Sequence, residues 1–384
     1  MKTIENSNMR YFFLILMVIF LGEIKNAKGE TTVSETQPLM TDKSLGNCIA
    51  CHALPGVNGT QSTFAPSLHD AGDKWTREEL KQWVSDARKI NPHTLMPAFG
   101  TTKGMQWVNS NAPILNLEQI EAVVETLSSW RSLPLTASVR MQDELSPLTS
   151  ISQKPSTHSF LTDDLLELQN DVNKNTIILW TAQGIDNWNK ATPGKSCSEC
   201  HGHIDKMRNA TSSYPRWSSF KRKLINIEDQ ILICSERTGA PFKGLESDEV
   251  ISLSALIHSA GKGVSLFSRA NLKSNEELKN ELLKGEKIYK TRIGRMNLAC
   301  TNCHDQKVGQ HIREEVISEG HPAGFPILKM SWQGMGTIDR RIRACFSGVQ
   351  AQPPSAGSPV LRQLELFMKF RSSNTLIEGP SIRR

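Results

Sequence analysis

The sequence predicts a mainly α-helical chain made of three small domains in tandem. Three observations carry that expectation. A five-residue cysteine motif occurs three times, as CIACH (48–52), CSECH (197–201) and CTNCH (300–304). Segments with the apolar spacing of helices surround the copies. The length, 384 residues, suits two or three domains. A net charge of +6, with no long Lys/Arg run interleaved with aromatics, speaks against nucleic acid as a partner. It leaves small anions and acidic partners open.

The motif sets the chemistry of each domain. C-x-x-C-H is the attachment signal of c-type haem. Two thiols at that spacing reach both vinyl groups of one haem, here Cys48 and Cys51, Cys197 and Cys200, Cys300 and Cys303. The next residue, His52, His201 or His304, becomes the proximal iron ligand. A zinc site would want paired knuckles, and a thioredoxin-type motif would want a βαβ setting. Three copies therefore predict three covalently bound c-type haems and three cytochrome c-like haem domains, each haem supplying much of its core.

Residues 1–29 read as a signal peptide. Lys2 and Arg10 give a positive start, YFFLILMVIFLG (11–22) an apolar core, and Ala27 and Gly29 the small residues before cleavage. A membrane span needs about 20 apolar residues, and Glu23 and Lys25 end this run early. The mature chain is expected in the periplasm and off the membrane. No twin-arginine pair precedes the apolar core, so export is expected before folding.

Residues 42–134 form the first domain. WTREELKQWVSDAR (75–88) is a helix with a Thr76/Glu79 capping box and an apolar face of Leu80, Trp83, Val84 and Ala87. NLEQIEAVVETLSSW (116–130) is a second, capped by Asn116 with Gln119 at N3. LMPAFG (95–100) lies between them, where a small cytochrome c places its distal sulfur. Met96 is thus the expected partner of His52, with Met105 as the rival. Residues 135–158 are rich in Ser, Thr, Gln and Pro and read as a linker.

Residues 159–265 form the second domain. KLINIEDQILICSE (223–236) reads as a helix with Ile227, Ile231 and Cys234 on one face, and DEVISLSALIHSAGKG (248–263) as another ended by glycines. Residues 266–384 form the third. SNEELKNELLKGEKIYKT (274–291), with a Ser274/Glu277 capping box, leads into CTNCH. SPVLRQLELFMKFR (358–371) closes it, with Ser358 as N-cap and Pro359 at N1.

Two of the eight cysteines, Cys234 and Cys345, stand outside the motifs. In an exported chain they form a disulfide, or each acts at a haem. The second and third parts repeat one plan, an entry helix, a haem motif and then a lone Cys, and that parallel favours one thiolate per haem over the disulfide. Cys345 follows Arg340, Arg341 and Arg343 in DRRIRACF. Such a cluster is either a solvated surface or an anion site, and beside an unpaired thiol the anion site is the stronger reading. His258, His311, His321, Met207, Met296, Met330 and Met335 are further possible ligands with no pattern to single any out.

MNLACTNCHD, ISEGHPAGFPILKMSWQGMGTIDRRIRAC, LELFMKFR and IEGPSIRR resemble the SoxA family of the bacterial sulfur-oxidising (Sox) system. DDLLELQNDVNKNTIILWTAQGIDNWNK with CSECHG is similar to the N-terminal haem domain of dihaem SoxA. GNCIACHALPG and MPAFG resemble the partner family, SoxX, so the chain looks like a SoxX–SoxA fusion. The resemblance implies His201/Cys234 and His304/Cys345 ligation, with Cys345 as the active-site, persulfide-bearing cysteine. The active-site arginine matches the Arg340–Arg343 cluster, Arg341 foremost. The implied activity is L-cysteine S-thiosulfotransferase: thiosulfate is coupled oxidatively to a cysteine of the SoxYZ carrier protein, and electrons leave to a cytochrome c. The family tends to have Arg-Ala-Glu after the active-site Cys; here Gln350, Ala351 and Gln352 imply an altered carrier-docking surface.

This chemistry suits the residues. An adjacent cation keeps a thiol nucleophilic, and guanidinium pairs with sulfonate oxygens. Thiolate ligation lowers a haem potential and methionine raises it, so electrons are expected to run towards the first domain. A three-haem electron carrier without sulfur chemistry is the main alternative, ahead of a peroxidase or a sensor. It makes Cys345 dispensable.

Overall fold

Polar caps and apolar stripes set the first helices where the sequence puts them. The computed structural model describes residues 33–132, 157–190, 194–273, 275–313 and 315–384. The expected signal peptide and all but the end of the expected linker lie outside the described residues. The N-terminal unit holds α1 (Val33–Thr41), the short α2 (Ala71–Lys74), α3 (Arg77–Asp86) and α4 (Leu117–Ser129). Thr76 with Glu79 and Asn116 with Gln119 close capping boxes on α3 and α4. Leu80 and Val84 of α3 share a core with Ile120, Val123, Val124 and Leu127 of α4. Thr36 of α1 reaches Thr126 of α4 at 2.7 Å.

The middle unit contains α5 (Asp163–Asn170), α6 (Ile177–Asn189), α7 (Cys197–His201), β1 (Arg216–Ser218), β2 (Lys223–Ile225), α8 (Ile227–Arg237) and α9 (Asp248–Ala260). The C-terminal unit follows with α10 (Glu276–Lys290), α11 (Cys300–His304), β3 (His311–Ile312), β4 (Glu315–Val316), β5 (Ile327–Lys329), β6 (Gly334–Gly336), α12 (Ile338–Gly348), α13 (Pro359–Arg371) and β7 (Ser381–Arg383). The chain is mainly helical, with short strands that the helical spacing did not reveal. Two helix expectations need correction. Lys223–Ile225 is a strand paired with β1, and α8 starts only after Asn226, whose side chain caps Asp229 N. α10 is capped by Asn275, whose side chain accepts from Leu278 N; the expected cap, Ser274, lies outside the described residues.

The two larger units are built on one plan. β1, β2, α8 and α9 recur as β5, β6, α12 and α13 with the same lengths and one constant spacing. Landmarks recur with them: cis Tyr214–Pro215 and cis Phe325–Pro326, and left-handed Arg222 and Gln333 at the two hairpins. α6 crosses α9 at Gly184, where a Cβ would meet Ser252 O at 2.5 Å. α10 crosses α13 at Gly285, where a Cβ would meet Gln363 O. Only glycine lets these helix backbones come so close.

Buried charge joins the two units. Arg362 of α13 is 1% exposed. Its Nε donates to Asp229 of α8 and its Nη1 to Asp339 of α12, each at 2.5 Å. The helices that carry Cys234 and Cys345 are thus clamped by one guanidinium. Nearby, Glu228 accepts from Ser254 Oγ at 2.6 Å. Burial, then the charge of Glu365, pushes its carboxyl from 4.5 up to about 7.

The N-terminal unit seats on the C-terminal one. Met296 and Leu298 enter its core, and Trp107 lies 5.8 Å from Phe346 of α12. Ser62 Oγ donates to His311 O at 2.6 Å, and Arg313 Nη2 to Asn47 Oδ1 at 2.8 Å. Gln350, left-handed at φ 56, is buried in this joint, with Nε2 donating to Lys43 O at 3.2 Å and its carbonyl accepting from Asn109 N. Gln350 thus turns into this joint, while Gln352 is exposed.

Two outcomes follow from the buried charges. Arg362→Ala should cost about 3–5 kcal/mol in denaturant unfolding, because it strands two buried carboxylates. Glu228 has a raised folded pKa, so the native state holds a proton that the unfolded state has released. Its contribution should therefore fade as pH rises from 4.5 through about 7. Glu228→Gln should flatten that part of the stability–pH curve.

Candidate functional site

The three C-x-x-C-H motifs form tight helical turns: a 3-10 turn at Cys48–Ala50, then α7 and α11. Two of the histidines are held alike. His52 Nδ1 donates to Pro66 O at 2.6 Å and His304 Nδ1 to Ser318 O at 2.7 Å, in both cases 14 residues on. A carbonyl on Nδ1 fixes the tautomer that leaves Nε2 free as a ligand. Burial lowers the pKa of both rings, which keeps them neutral. Gly320, at φ +67, lies flat against the His304 ring, where a Cβ would sit 2.8 Å from Cγ. His201 is more exposed, with its ring centroid 5.9 Å from that of Trp188. Paired thiols with an adjacent neutral imidazole are the donor set a c-type haem requires, so the residues fit the group.

Cys345 projects from α12 beside α11. Burial, with the neighbouring Cys345 second, pushes the Cys300 thiol up to about 12 and the Cys303 thiol to about 11. All eight cysteines are free, so the disulfide alternative for Cys234 and Cys345 falls away. The structure sorts the arginines. Arg340 stacks over Trp332 at 4.7 Å, and Arg343 Nη1 pairs with Glu246 at 2.8 Å. Among the described residues, Arg341 has no acid partner. It stands one helical turn before Cys345, on the same side of α12. Its charge reaches His304 and Arg383.

In the middle unit Cys234 lies near Cys197, after burial a further cause of that thiol's raised pKa. Gln230 Nε2 donates to Cys234 Sγ at 3.3 Å. In the N-terminal unit Met96 packs on the core that Cys48 also borders. Burial, then the nearby Cys303, pushes Cys51 up to about 12, so the first and third motifs adjoin.

The remaining candidate ligands have other places. His258 is a core residue whose Nδ1 meets Ser254 O at 2.8 Å, and burial pulls its pKa to about 3. Met296 and Met335 are buried in cores, Met207 borders another, and Met330 is exposed. His311 lies in β3, against Ser62, and His321 pairs with Glu319 at 3.2 Å.

Sequence reasoning missed Gly320, Ser318, Gln230 and Arg383. Arg383 sits in β7, and burial lowers its pKa to about 10. No spacing rule links these residues to the motifs; only the glycine in EGHPAG hinted at a close approach. Gly320→Ala should push the His304 ring out of place and lower haem loading or the low-spin fraction, read from pyridine haemochrome and absorbance spectra. Gly263→Ala, at an open left-handed glycine, should change neither.

Known proteins resemble this chain over two stretches that carry a haem motif. Residues 183–266 match the family model "SoxA/TsdA, cytochrome c domain", and residues 41–107 match "Cytochrome C oxidase, cbb3-type, subunit III". Both are cytochrome c domains and so carry covalent c-type haem. The L-cysteine S-thiosulfotransferase subunit SoxA of Pseudaminobacter salicylatoxidans is 33% identical over 57% of this chain and 77% of its own length. That of Paracoccus pantotrophus is 30% identical over 58% and 77%. The crystal structure of SoxXA from P. pantotrophus aligns with a TM-score of 0.55 at 29% identity, covering 60% of this chain and 86% of that one. The chain that clamps Cys234 and Cys345 on twin helices therefore belongs to the SoxA family of L-cysteine S-thiosulfotransferase subunits.

Proposed function

We propose that this chain is a periplasmic SoxX–SoxA fusion with three haems, in which Cys345 and Arg341 carry out thiosulfate transfer. The observation that carries the reading is the face of α12. Arg341 and Cys345 lie one turn apart beside α11, while Arg340 and Arg343 are engaged by Trp332 and Glu246. One free guanidinium beside one exposed thiol is the minimum that a sulfur-bearing dianion needs.

The reaction joins thiosulfate to a cysteine thiol of the SoxYZ carrier. One S–S bond forms, the thiol proton is lost and two electrons leave. Arg341 receives the sulfonate oxygens and orients the outer sulfur. Cys345 supplies the protein sulfur that takes part in the exchange, as thiolate or persulfide. Arg340, fixed on Trp332, adds positive potential without being spent on substrate. When bound, the haems supply one-electron transfer towards a cytochrome c acceptor. His304 with Cys345, His201 with Cys234 and His52 with Met96 would hold them. The adjoining Cys51 and Cys303 motifs and the Ser62–His311 contact support a direct exit through the N-terminal unit. The intrachain joint around Trp107 and Gln350 supports the fusion reading, and the repeated plan of the two larger units supports a third haem domain.

The test is thiosulfate- and carrier-dependent reduction of cytochrome c. Cys345→Ala should abolish it while the covalent haem content stays unchanged. Arg341→Ala should lower kcat/KM about 10- to 100-fold, the worth of a charge-assisted hydrogen bond. Arg343→Ala should change it by less than about threefold, because an exposed ion pair contributes little. Equal losses for the two arginines would contradict the assignment.

A further inference from the structure

The middle unit contains a second copy of the Cys345 arrangement. The constant spacing that maps β1, β2, α8 and α9 onto β5, β6, α12 and α13 puts Cys234 where Cys345 stands. It puts Gln230 where Arg341 stands. The exchange changes what the sulfur meets. Gln230 Nε2 donates to Cys234 Sγ at 3.3 Å. The amide is fixed in that sense, because its Oε1 already accepts from Tyr214 Oη at 3.2 Å and Arg216 Nη2 at 3.0 Å. Arg216 in turn lies 4.9 Å from the Tyr214 ring centroid, which steadies the pair.

The histidine side differs as well. In the C-terminal unit the stretch between α11 and β5 carries Ser318, whose carbonyl holds His304 Nδ1. The stretch between α7 and β1 is shorter. Among the described residues His201 has no such carbonyl, and its ring rests near Trp188 instead.

We propose that the middle unit is a copy of the Cys345 site retuned from sulfur transfer to electron holding, with Gln230 as the residue that sets its reduction potential. The proposal rests on the reading that His201 and Cys234 hold the middle haem. A neutral amide offers no charge to a dianion, and its donor is spent on the sulfur. An N–H group on a thiolate ligand stabilises the more electron-rich, reduced state and raises the potential. A histidine without a carbonyl at Nδ1 is the weaker donor, which acts in the same direction. The middle centre therefore stands above the C-terminal centre in potential.

The test is a potentiometric titration of the haem-loaded wild type, Gln230→Leu and Gln230→Glu, with low-temperature EPR on the same samples. Gln230→Glu keeps both acceptor contacts while removing the donor, and Gln230→Met, neutral and of similar length, replaces the Leu variant if that one folds poorly. In both variants the redox equilibrium of the middle centre should shift about tenfold towards the oxidised state, about 59 mV for one electron. The C-terminal centre and both His/thiolate signals should stay unchanged. An unmoved potential with those signals intact overturns the role of Gln230 and leaves the ligand reading standing. A fall in the Glu variant alone reports only the added charge and overturns it too. A wild type without a His/thiolate signal from the middle unit overturns both.

Discussion

One buried guanidinium fixes the relation between the two cysteine helices. Arg362 reaches Asp229 near the start of α8 and Asp339 near the start of α12, and it is almost wholly out of water. A charge in that position is tolerable only with both carboxylates in place. Each helix then runs outward from the clamp and presents its cysteine further along, Cys234 on one and Cys345 on the other. Small rotations of either helix would break short hydrogen bonds at the clamp. The positions of both sulfurs are therefore set by the core and not by surface loops, as a preorganised site requires.

The duplicated plan gives two cysteine sites with different neighbours. In the C-terminal copy the turn before the cysteine carries Arg341, and a long loop brings Ser318 and Gly320 against His304. In the middle copy the same turn carries Gln230, and the loop is shortened. The C-terminal, charged copy has a free guanidinium one turn before its cysteine; the middle copy has an amide there, itself held by Tyr214 and Arg216. The N-terminal unit docks on the charged copy, with Trp107 against Phe346 and Ser62 against His311.

Much of this was legible in the sequence because it rests on local rules. The C-x-x-C-H spacing, the capping boxes at Thr76 and Asn116 and the end helix opened by Ser358 and Pro359 all depend on neighbours in the chain. The coarse repeat of entry helix, haem motif and lone cysteine was legible, but its register was not, because the copies share few residues beyond Pro215/Pro326, Ile227/Ile338, Ile231/Ile342 and Cys234/Cys345. What they share is backbone, such as the left-handed hairpin residues Arg222 and Gln333. The short strands stayed hidden for the same reason: Lys223–Ile225 continues an apolar spacing that suits a helix until Asn226 caps a new one. Among the arginines, the sequence could not separate free from engaged. Only the fold brings Trp332 to Arg340 and Glu246 to Arg343.

The central claim is that Cys345, and not its twin Cys234, is the sulfur atom that works. The most direct measurement is peptide mass mapping after the haem-loaded protein has been incubated with isotopically labelled thiosulfate and oxidised cytochrome c. Labelled sulfur on the Cys345 peptide, with the Cys234 peptide unlabelled, is the predicted result. Label on Cys234, or no labelled sulfur on Cys345 while the cytochrome is reduced, would contradict the account.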